Sequence, residues 1–449
     1  MMSSKHLSRL LGVLIVVPLV FADGIATAVF AAAPAATGRE PVAVFNVATL
    51  PALRAAAQQG NPRAQFKLAT FYEHGIGVPK DLELAARWFQ KAALQGYVDA
   101  ECDLGALYQL GNGVRQNDAL AVLWFRKAAV CGSLTAQYDL GLCYLRGRGV
   151  PQDYNLAAGW LRKAASQGYA RAQNNLGLLY QNGCGVPKNY AVAARWFREA
   201  SRQGSTAAQI NFGNLYLHGQ GVPQSRRRAM KWYMRAAARG DSRAYYSIAY
   251  ILCDRKLADY KKALRWCRMG AAAGDARAMS GIGWLYSRGL GVPKNYRIAM
   301  TWWRKAAMAG DANAMGGIGW LYEKGYGVAK SYQQAMLWYE KGAAAGNADS
   351  MVRLGLFYVR GDGVAVDYAK AIRWFERAAA TGAPEGEFNL GRMYSEGLGV
   401  RRNPDKAETW FEKAATAGYP PAREVLKERD NVTSASSRVR DKKGKRRNQ

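Results

Sequence analysis

Hydrophobic and aromatic residues recur along the chain with one fixed period. Trp stands at equivalent places in ten consecutive segments: Trp88, Trp124, Trp160, Trp196, Trp232, Trp266, Trp302, Trp338, Trp374 and Trp410. Successive tryptophans are 36 residues apart except for one spacing of 34, between Trp232 and Trp266. A fixed period of this length is typical of solenoids that stack one supersecondary unit. The pattern predicts one array of ten units over 61–418, rather than separate domains of roughly 150 residues each.

The second helix of each unit is predicted from residues that begin and end helices. Seven residues before each Trp stands a side chain whose oxygen can accept from the open amides of a first helical turn. These N-cap residues are Asp81, Asn117, Asp153, Asn189, Ser225, Asp259, Asn295, Ser331, Asp367 and Asn403. Eight residues after each Trp comes a Gly, from Gly96 to Gly418, as in helices that close on a left-handed residue. Each cap residue therefore marks the start of a second helix, and the following Gly marks its end.

The first helix of each unit carries a different apolar stripe. Ala136, Leu140 and Tyr144 follow one another at i, i+4 and i+8, which places them on one buried face. A small residue after the Leu, such as Gly141, allows close approach of a neighbouring helix. A Gly-x-Gly pair recurs nine times between the helices. We interpret it as a turn with positive φ, because a dinucleotide fingerprint needs a preceding strand and a third Gly.

The complete unit resembles the Sel1-like repeat, a relative of the tetratricopeptide repeat. In one unit the residues that carry the resemblance are Leu140-Gly141, Tyr144, Gly147-x-Gly149-Val150, Asp153-Tyr154, Ala157, Trp160, Lys163-Ala164-Ala165 and Gly168. The resemblance implies an all-α fold, a right-handed α-solenoid of about ten helix-turn-helix repeats whose first helices line the concave side. It also implies a scaffold or adaptor for protein partners, which in bacteria often serves envelope, exopolysaccharide or host-interaction systems.

The N-terminus has the order of a secretory signal peptide. Lys5 and Arg9 precede an apolar run over 10–22, and small residues follow up to Ala33. We expect 1–31 to be a signal peptide and the protein to be periplasmic or secreted. An uncleaved anchor in the inner membrane stays open, because 10–33 is long enough to span a bilayer.

The array is expected to have capping segments at both ends. We predict a linker and N-terminal capping helix over 32–60, ten repeats over 61–418, a C-terminal capping helix over 419–430 and a basic disordered tail over 431–449. The sixth unit, Asp241 to Gly274, is two residues short and lacks the Gly-x-Gly-Val loop. A shortened loop should alter the local stacking of the array.

The sequence offers little catalytic chemistry. It contains neither Ser-x-x-Lys nor Gly-x-Ser-x-Gly. His74 and His218 are four units apart without a Cys/His cluster beside them. We therefore predict a protein that is not an enzyme, with no metal, no cofactor and no small-molecule substrate. A hydrolase of β-lactamase type, an activity associated with some relatives of the family, is the remote alternative.

Six cysteines occur at irregular places within the repeat. Cys253 and Cys267 lie in one predicted helical hairpin and could form a disulfide in an oxidising compartment. Buried free thiols are the default expectation.

Polar residues recur three positions after the Ala that opens the first-helix stripe. These candidates for a concave binding face are Asp103, Asp139, Asn175, Asn211, Arg353 and Asn389. They should face away from the core. In tetratricopeptide relatives an Asn at a similar place can contact a peptide backbone, which makes this face a candidate groove. A merely solvated face is the alternative.

The chain is strongly basic, with 63 Lys+Arg against 33 Asp+Glu and a net charge of +30. The fifth unit concentrates this charge in a candidate basic patch: Arg226, Arg227, Arg228, Lys231, Arg235 and Arg239. Such charge implies an anionic partner. The alternative function is therefore binding of a polyanion, either an acidic polysaccharide or an anionic lipid surface. Nucleic acid is not expected, because no nucleic-acid-binding motif is present and export is predicted.

Overall fold

The computed structural model describes residues 50–254 and 258–429, and the regular secondary structure of this part is entirely helical. The helices are α1 (Leu50–Gln58), α2 (Pro62–His74), α3 (Leu82–Leu94), α4 (Val98–Leu110), α5 (Asp118–Val130), α6 (Leu134–Arg146), α7 (Tyr154–Ser166), α8 (Ala170–Asn182), α9 (Tyr190–Arg202), α10 (Thr206–His218), α11 (Arg226–Ala238), α12 (Arg243–Leu252), α13 (Tyr260–Ala272), α14 (Ala276–Arg288), α15 (Tyr296–Met308), α16 (Ala312–Lys324), α17 (Tyr332–Ala344), α18 (Ala348–Arg360), α19 (Tyr368–Ala380), α20 (Pro384–Glu396) and α21 (Pro404–Thr416). A last helical segment covers 420–429. The prediction of an all-α solenoid is confirmed.

The chain divides into two units, and the division falls inside α12, in the short sixth repeat. The described part of unit 1 is 50–244, and that of unit 2 is 245–429. Within each unit the even-numbered helices are the first helices of the repeats and the odd-numbered helices from α3 onward are the second helices. Each first helix packs against the second helix of its own repeat, as α2 does on α3 and α18 on α19.

The predicted helix caps are confirmed in every repeat. All ten N-cap side chains accept a hydrogen bond from the backbone amide three residues further on, as Asp81 Oδ1 does from Leu84 at 2.8 Å. Each such bond stabilises its helix by about 1 kcal/mol. The closing glycines, from Gly96 to Gly418, have φ between 76° and 91°. The caps thus define where each second helix starts and stops.

The recurring glycines permit backbone approaches that a Cβ would block. A Cβ on Gly141 would lie 2.9 Å from Leu161 Cγ on the partner helix. Loop residue Gly149 has a φ of 70°, and a Cβ there would lie 2.1 Å from the carbonyl oxygen of Asp118 in the preceding repeat. The interpretation of the Gly-x-Gly pair as a turn is confirmed.

The tryptophans lie at the edge of the core, and most of them are half-buried. A cation three residues later covers the ring; Lys163 Nζ, for example, lies 4.1 Å from the Trp160 ring centroid. The same contact occurs in eight repeats, made by Lys91, Lys127, Lys163, Arg235, Lys305, Lys341, Arg377 and Lys413. These cations therefore stack on an aromatic face as well as lying in the last turns of their helices.

In four repeats of unit 1 a buried glutamine joins the first helix to the end of the preceding helix. Gln137 Nε2 donates to the Ala129 carbonyl at 3.2 Å, and Gln173 Nε2 donates to the Ala165 carbonyl at 3.1 Å. The bond recurs from Gln65 and Gln209. It satisfies one carbonyl that the helix end leaves without an intrahelical donor.

Two repeats carry a carboxyl group at the position of this glutamine, Glu101 in α4 and Glu387 in α20, and the remaining four repeats have Tyr or Met there. The Oε2 atom of each is buried and lacks a hydrogen-bond partner among the described residues. Burial raises the pKa of Glu101 against the opposing charge of Lys127, and it raises the pKa of Glu387 against that of Lys413. Both groups are therefore shifted toward the protonated form, which alone can donate as the glutamine does.

The predicted signal peptide, most of the linker and the basic tail lie outside the described residues. At the N-terminal end of the described chain, Ala57 of α1 packs with Ala64 and Leu68 of α2. No helix within 50–254 or 258–429 combines the length and apolar composition needed to cross a bilayer.

Candidate functional site

The predicted polar positions lie on what we call the first-helix face. We define it as the side chains three residues after the stripe Ala of each first helix, or after the Ser or Gly that replaces it, together with the first-helix side chains that interact with them. In unit 1 the predicted members Asp103, Asp139, Asn175 and Asn211 are all half-buried. They are therefore neither core residues nor freely solvated ones.

In unit 1 the face holds a continuous chain of neutral hydrogen bonds across three first helices. Asn211 Nδ2 on α10 donates to Asn174 Oδ1 on α8 at 2.9 Å. Asn174 Nδ2 donates to Asn175 Oδ1 at 3.3 Å, and Asn175 Nδ2 donates to the Tyr138 hydroxyl on α6 at 3.3 Å. The structure thus brings Asn175 and Asn211 into one network. It adds Tyr138 and Asn174, which were missed by the sequence analysis although the doubled Asn was visible.

The phenol at the end of this chain stays protonated over a wide pH range. Burial, together with the nearby Asp139 carboxylate, raises the pKa of Tyr138 to about 12. Tyr138 can therefore both donate and accept a hydrogen bond. The chain is uncharged throughout.

In unit 2 the same face is charged. Arg353 on α18 is 17 % exposed, and its Nη1 lies 4.0 Å from Glu323 Oε1 on α16. Tyr339 on α17 donates to Glu323 Oε2 at 2.7 Å, and Lys324 donates to Oε1. Burial alone would raise the pKa of Glu323, but the bonds from Lys324 and Tyr339 and the charge of Arg353 hold it below its ordinary value.

Two further carboxyl groups face Arg353. Asp349 on α18 and Glu385 on α20 are half-buried and occupy equivalent places near the start of their helices. Burial raises the pKa of both; the charge of Arg353 opposes this for each, and the charge of Asp349 adds to it for Glu385. The sequence analysis missed this cluster, because an acid in a first turn has the ordinary role of complementing the helix dipole.

Asn389 does not face outward as we expected. It is 6 % exposed, and its Nδ2 donates to the Glu385 carbonyl of its own helix at 2.8 Å. Because the amide finds a partner within its own helix, the side chain can be buried. It therefore offers less to a partner than Asn175 or Asn211.

The predicted basic patch lies on α11 and at its ends, and all six of its members are exposed. Several make contacts within the chain. The Arg228 guanidinium lies 5.5 Å from the Tyr216 ring centroid, that of Arg235 lies 4.6 Å from Trp232, and Arg239 Nη1 donates to the Gly204 carbonyl at 3.2 Å. Arg227 and Lys231 lie on the outward side of the same helix.

The structure contains Cys253 and Cys267 as free thiols, so the disulfide considered above is not formed in it. Burial raises the pKa of Cys253 to about 12 and raises that of Cys267 as well, with Cys253 itself contributing to the second shift. Both groups are therefore protonated and poorly nucleophilic near neutral pH. Within the described residues no three His, Cys, Asp or Glu side chains are grouped so that they could hold a metal ion.

Comparison with known proteins matches the repeats to the Sel1 repeat model. The ten matched segments are 62–97, 98–133, 134–169, 170–205, 206–241, 242–275, 276–311, 312–347, 348–382 and 384–419. Among curated proteins, no significant sequence match was found.

Two solved structures illustrate the similarity. The first is c5321, a protective antigen present in uropathogenic Escherichia coli strains that displays an SLR fold. It is 35% identical, covers 85% of this chain and 83% of its own, and has a TM-score of 0.61. A Sel1 repeat protein from Oxalobacter formigenes is 30% identical over 77% of this chain and 90% of its own, with a TM-score of 0.39.

Proposed function

Because the chain belongs to the Sel1 repeat family, we propose that it is a non-enzymatic scaffold that binds segments of partner proteins along its first-helix faces. All-α solenoids of this family generally hold protein partners. The proposal assigns that role to the first-helix face, which has half-buried polar groups in both units.

The neutral chain of unit 1 is the observation that carries the proposal. Asn175 and Asn211 are half-buried, and each offers amide donors and an acceptor, of which the chain uses only some. An extended segment laid across α8 and α10 could therefore pair its backbone groups with these amides. Main-chain recognition of this kind gives affinity with little demand on the sequence of the partner.

The charged cluster of unit 2 supplies sequence preference in this proposal. Glu323, Asp349 and Glu385 surround Arg353, so carboxylates are in excess on this face. Glu323 is already held by Lys324 and Tyr339. A Lys or Arg side chain of the partner would pair with Asp349 or Glu385, and we therefore expect a basic residue in the bound segment.

We further propose that the protein is exported and acts in envelope, exopolysaccharide or host-interaction complexes. The proposal rests on the N-terminal order of basic, apolar and small residues over 1–34. The similarity to c5321, described as a protective antigen of a bacterial pathogen, also supports it. Fractionation of cells expressing the full chain, compared with a chain lacking 1–31, tests this part. Equal export of both would contradict it.

Affinity capture from envelope extract tests the binding face. The full chain is compared with Asn175→Ala/Asn211→Ala and with Asp349→Asn/Glu385→Gln, and Arg115→Gln, an exposed loop substitution, is the control. We expect a defined protein that survives a high-salt wash on the wild type and the control and is reduced on both double variants. If the wild type, the control and both double variants all retained the captured protein equally, the binding surface would lie elsewhere. Hydrolysis of a β-lactam by the purified protein would contradict the non-enzymatic assignment.

A further inference from the structure

Helices α9 and α11 are the second helices of consecutive repeats in unit 1, and two hydrogen bonds link these repeats next to the two helices. At the start of α9, the Tyr190 hydroxyl accepts a hydrogen bond at 3.5 Å from Nε2 of Gln220, which lies in the loop before α11. At their ends, Arg239 Nη1 donates to the Gly204 carbonyl at 3.2 Å. Equivalent positions of the two helices therefore point to the same side of the unit.

The outward side of α9 is a stripe of arginines. Arg195, Arg198 and Arg202 are exposed, whereas Phe197 and Ala200 between them are buried. Their spacing of three and four residues puts successive cations roughly 5 Å apart along the helix axis. The stripe therefore presents a row of guanidinium groups to solvent.

The outward side of α11 continues this surface. Arg227, Lys231 and Arg235 are exposed, and Lys231 occupies the place that Arg195 has on α9. The one acid on the outward side is Glu199, whose Oε1 lies 3.0 Å from Arg202 Nη1 and 3.5 Å from Arg198 Nε. Six cations against one carboxylate leave an excess of five positive charges.

The repeat itself does not require these cations. On α5, two repeats before α9, the places of Arg195 and Arg202 hold Leu123 and Val130, which are 47% and 73% exposed. The scaffold thus tolerates apolar residues there. Arginine also occupies the place of Arg195 on α3, α13 and α19 and that of Arg198 on α5, α7, α13 and α15, but among the ten second helices α9 alone has a cation at the place of Arg202.

The start of α11 also works against folding. Its first turn contains three arginines, Arg226 to Arg228, and no acid. Cations are unfavourable at the positive end of a helix dipole. A surface with no partner would gain stability from acids here.

We propose that the arginine face, comprising Arg195, Arg198, Arg202, Arg227, Lys231 and Arg235, binds an acidic polysaccharide through its carboxylates. The planar guanidinium fork matches a carboxylate in two-point geometry. Two parallel rows of cations suit an extended chain with regularly repeated charges. This surface lies on second helices, so the proposal does not depend on protein binding at the first-helix face.

Other anionic partners fit this face less well. A lipid surface requires a broad apolar face to enter the headgroup region, and Met234 is the one large apolar side chain strongly exposed on α9 or α11, both of which are described in full. Single-stranded nucleic acid requires exposed aromatic rings for stacking, and Arg235 covers the ring of Trp232 at 4.6 Å.

Binding of the full chain to polygalacturonate tests the proposal, with affinity measured at about 50 mM and about 200 mM salt. Two variants each remove three charges, Arg195→Gln/Arg198→Gln/Arg202→Gln and Arg227→Gln/Lys231→Gln/Arg235→Gln. The matched control is Arg115→Gln/Arg297→Gln/Arg373→Gln, which removes three exposed cations elsewhere. At low salt we expect each face variant to bind about tenfold more weakly and the control to change by less than about twofold. The basic C-terminal run is present in all four proteins.

An Arg→Lys version of the α9 stripe keeps the charge and removes the two-point guanidinium geometry. We expect its affinity for polygalacturonate to fall about threefold. Circular dichroism and melting curves of every variant check that the fold is kept. Equal losses of affinity in the face variants and the control would mean that net charge alone attracts the polymer. Absence of binding at low salt, or tighter binding to phosphatidylglycerol vesicles or duplex DNA, would also overturn the proposal.

Discussion

The first-helix faces of the two units are carried by equivalent helices and differ in chemistry. In unit 1, Asn211, Asn174 and Asn175 pass neutral hydrogen bonds to Tyr138. In unit 2 the equivalent surface has Arg353 among carboxylates, and the carboxylate of Glu323 accepts hydrogen bonds. Caps, glycines and buried alanines are shared by both units, so the repeat fixes the frame and leaves this face free to differ.

The two faces should also differ in how much free energy the loss of one interaction partner costs. A neutral amide can exchange one hydrogen-bond partner for another at small net cost, about 1 kcal/mol. A half-buried cluster of charges is held together only if its countercharges stay in place, and loss of one partner leaves the others uncompensated. We therefore expect unit 2 to respond to mutation and pH more strongly than unit 1.

The largest expected effect is that of Arg353→Met, which removes the cation that Glu323, Asp349 and Glu385 share. Glu323 keeps Lys324 and Tyr339, but Asp349 and Glu385 lose their nearest countercharge. We expect the free energy of unfolding of unit 2 to fall by about 3 kcal/mol at about pH 7. Urea unfolding, with hydrogen exchange to locate the loss, measures it.

The pH dependence of this variant sharpens the comparison. The pKa values of Asp349 and Glu385 are raised by burial, so these groups favour the folded state below their ordinary pKa and lose that contribution as the pH rises through the folded value. The penalty of Arg353→Met should therefore shrink on acidification. The matched substitution in unit 1, Asn175→Leu, should show little pH dependence. Equal and pH-independent losses would contradict the contrast between the units.

A second test concerns the position that holds a buried glutamine in four repeats of unit 1 and a carboxyl group in one repeat of each unit. Glu101 in unit 1 and Glu387 in unit 2 replace the buried glutamine that donates to a helix-end carbonyl elsewhere. We expect Glu101→Gln and Glu387→Gln to raise the free energy of unfolding by about 1 kcal/mol near neutral pH, because each amide can donate where a carboxylate cannot. The gain should fade in acid, since the pKa of each carboxyl group is raised and its protonated form can donate as well.

The reverse substitution, from glutamine to glutamate, is the control for this prediction. Gln173→Glu removes the bond to the Ala165 carbonyl and should destabilise unit 1 by about 1–2 kcal/mol, with the larger loss at higher pH. Melting temperatures of wild type and the three variants across the acidic to neutral range measure both directions. A gain from Glu→Gln that persists undiminished in acid would show that the carboxyl groups were not the donors.

The sequence predicts those features whose residues lie close together in the chain. Caps such as Asp81 and helix-closing glycines such as Gly168 act within one repeat, so their spacing alone predicted them. The partners of Asn175 and Asn211 lie 37 residues away, one more than the repeat, because neighbouring first helices are offset by about one residue. Equivalent positions therefore do not face one another, and no repeat alignment would pair them. The unit 2 cluster draws on four helices at non-equivalent positions, which only packing brings together.

The smallest expected effect is in the neutral chain itself, and a double-mutant cycle on Asn174 and Asn211 measures it. Each change to Ala should cost about 1 kcal/mol, and the coupling between them should be about 0.5–1 kcal/mol, because both remove the same 2.9 Å bond. The coupling should be insensitive to salt and pH, since neither group is charged. The cycle on Arg353 and Asp349 should instead couple more strongly and weaken in acid. If both cycles gave the same coupling energy with the same pH response, the two faces would differ in residue types but not in energetics. A difference in both would show that one repeat frame supports two surfaces with different energetics.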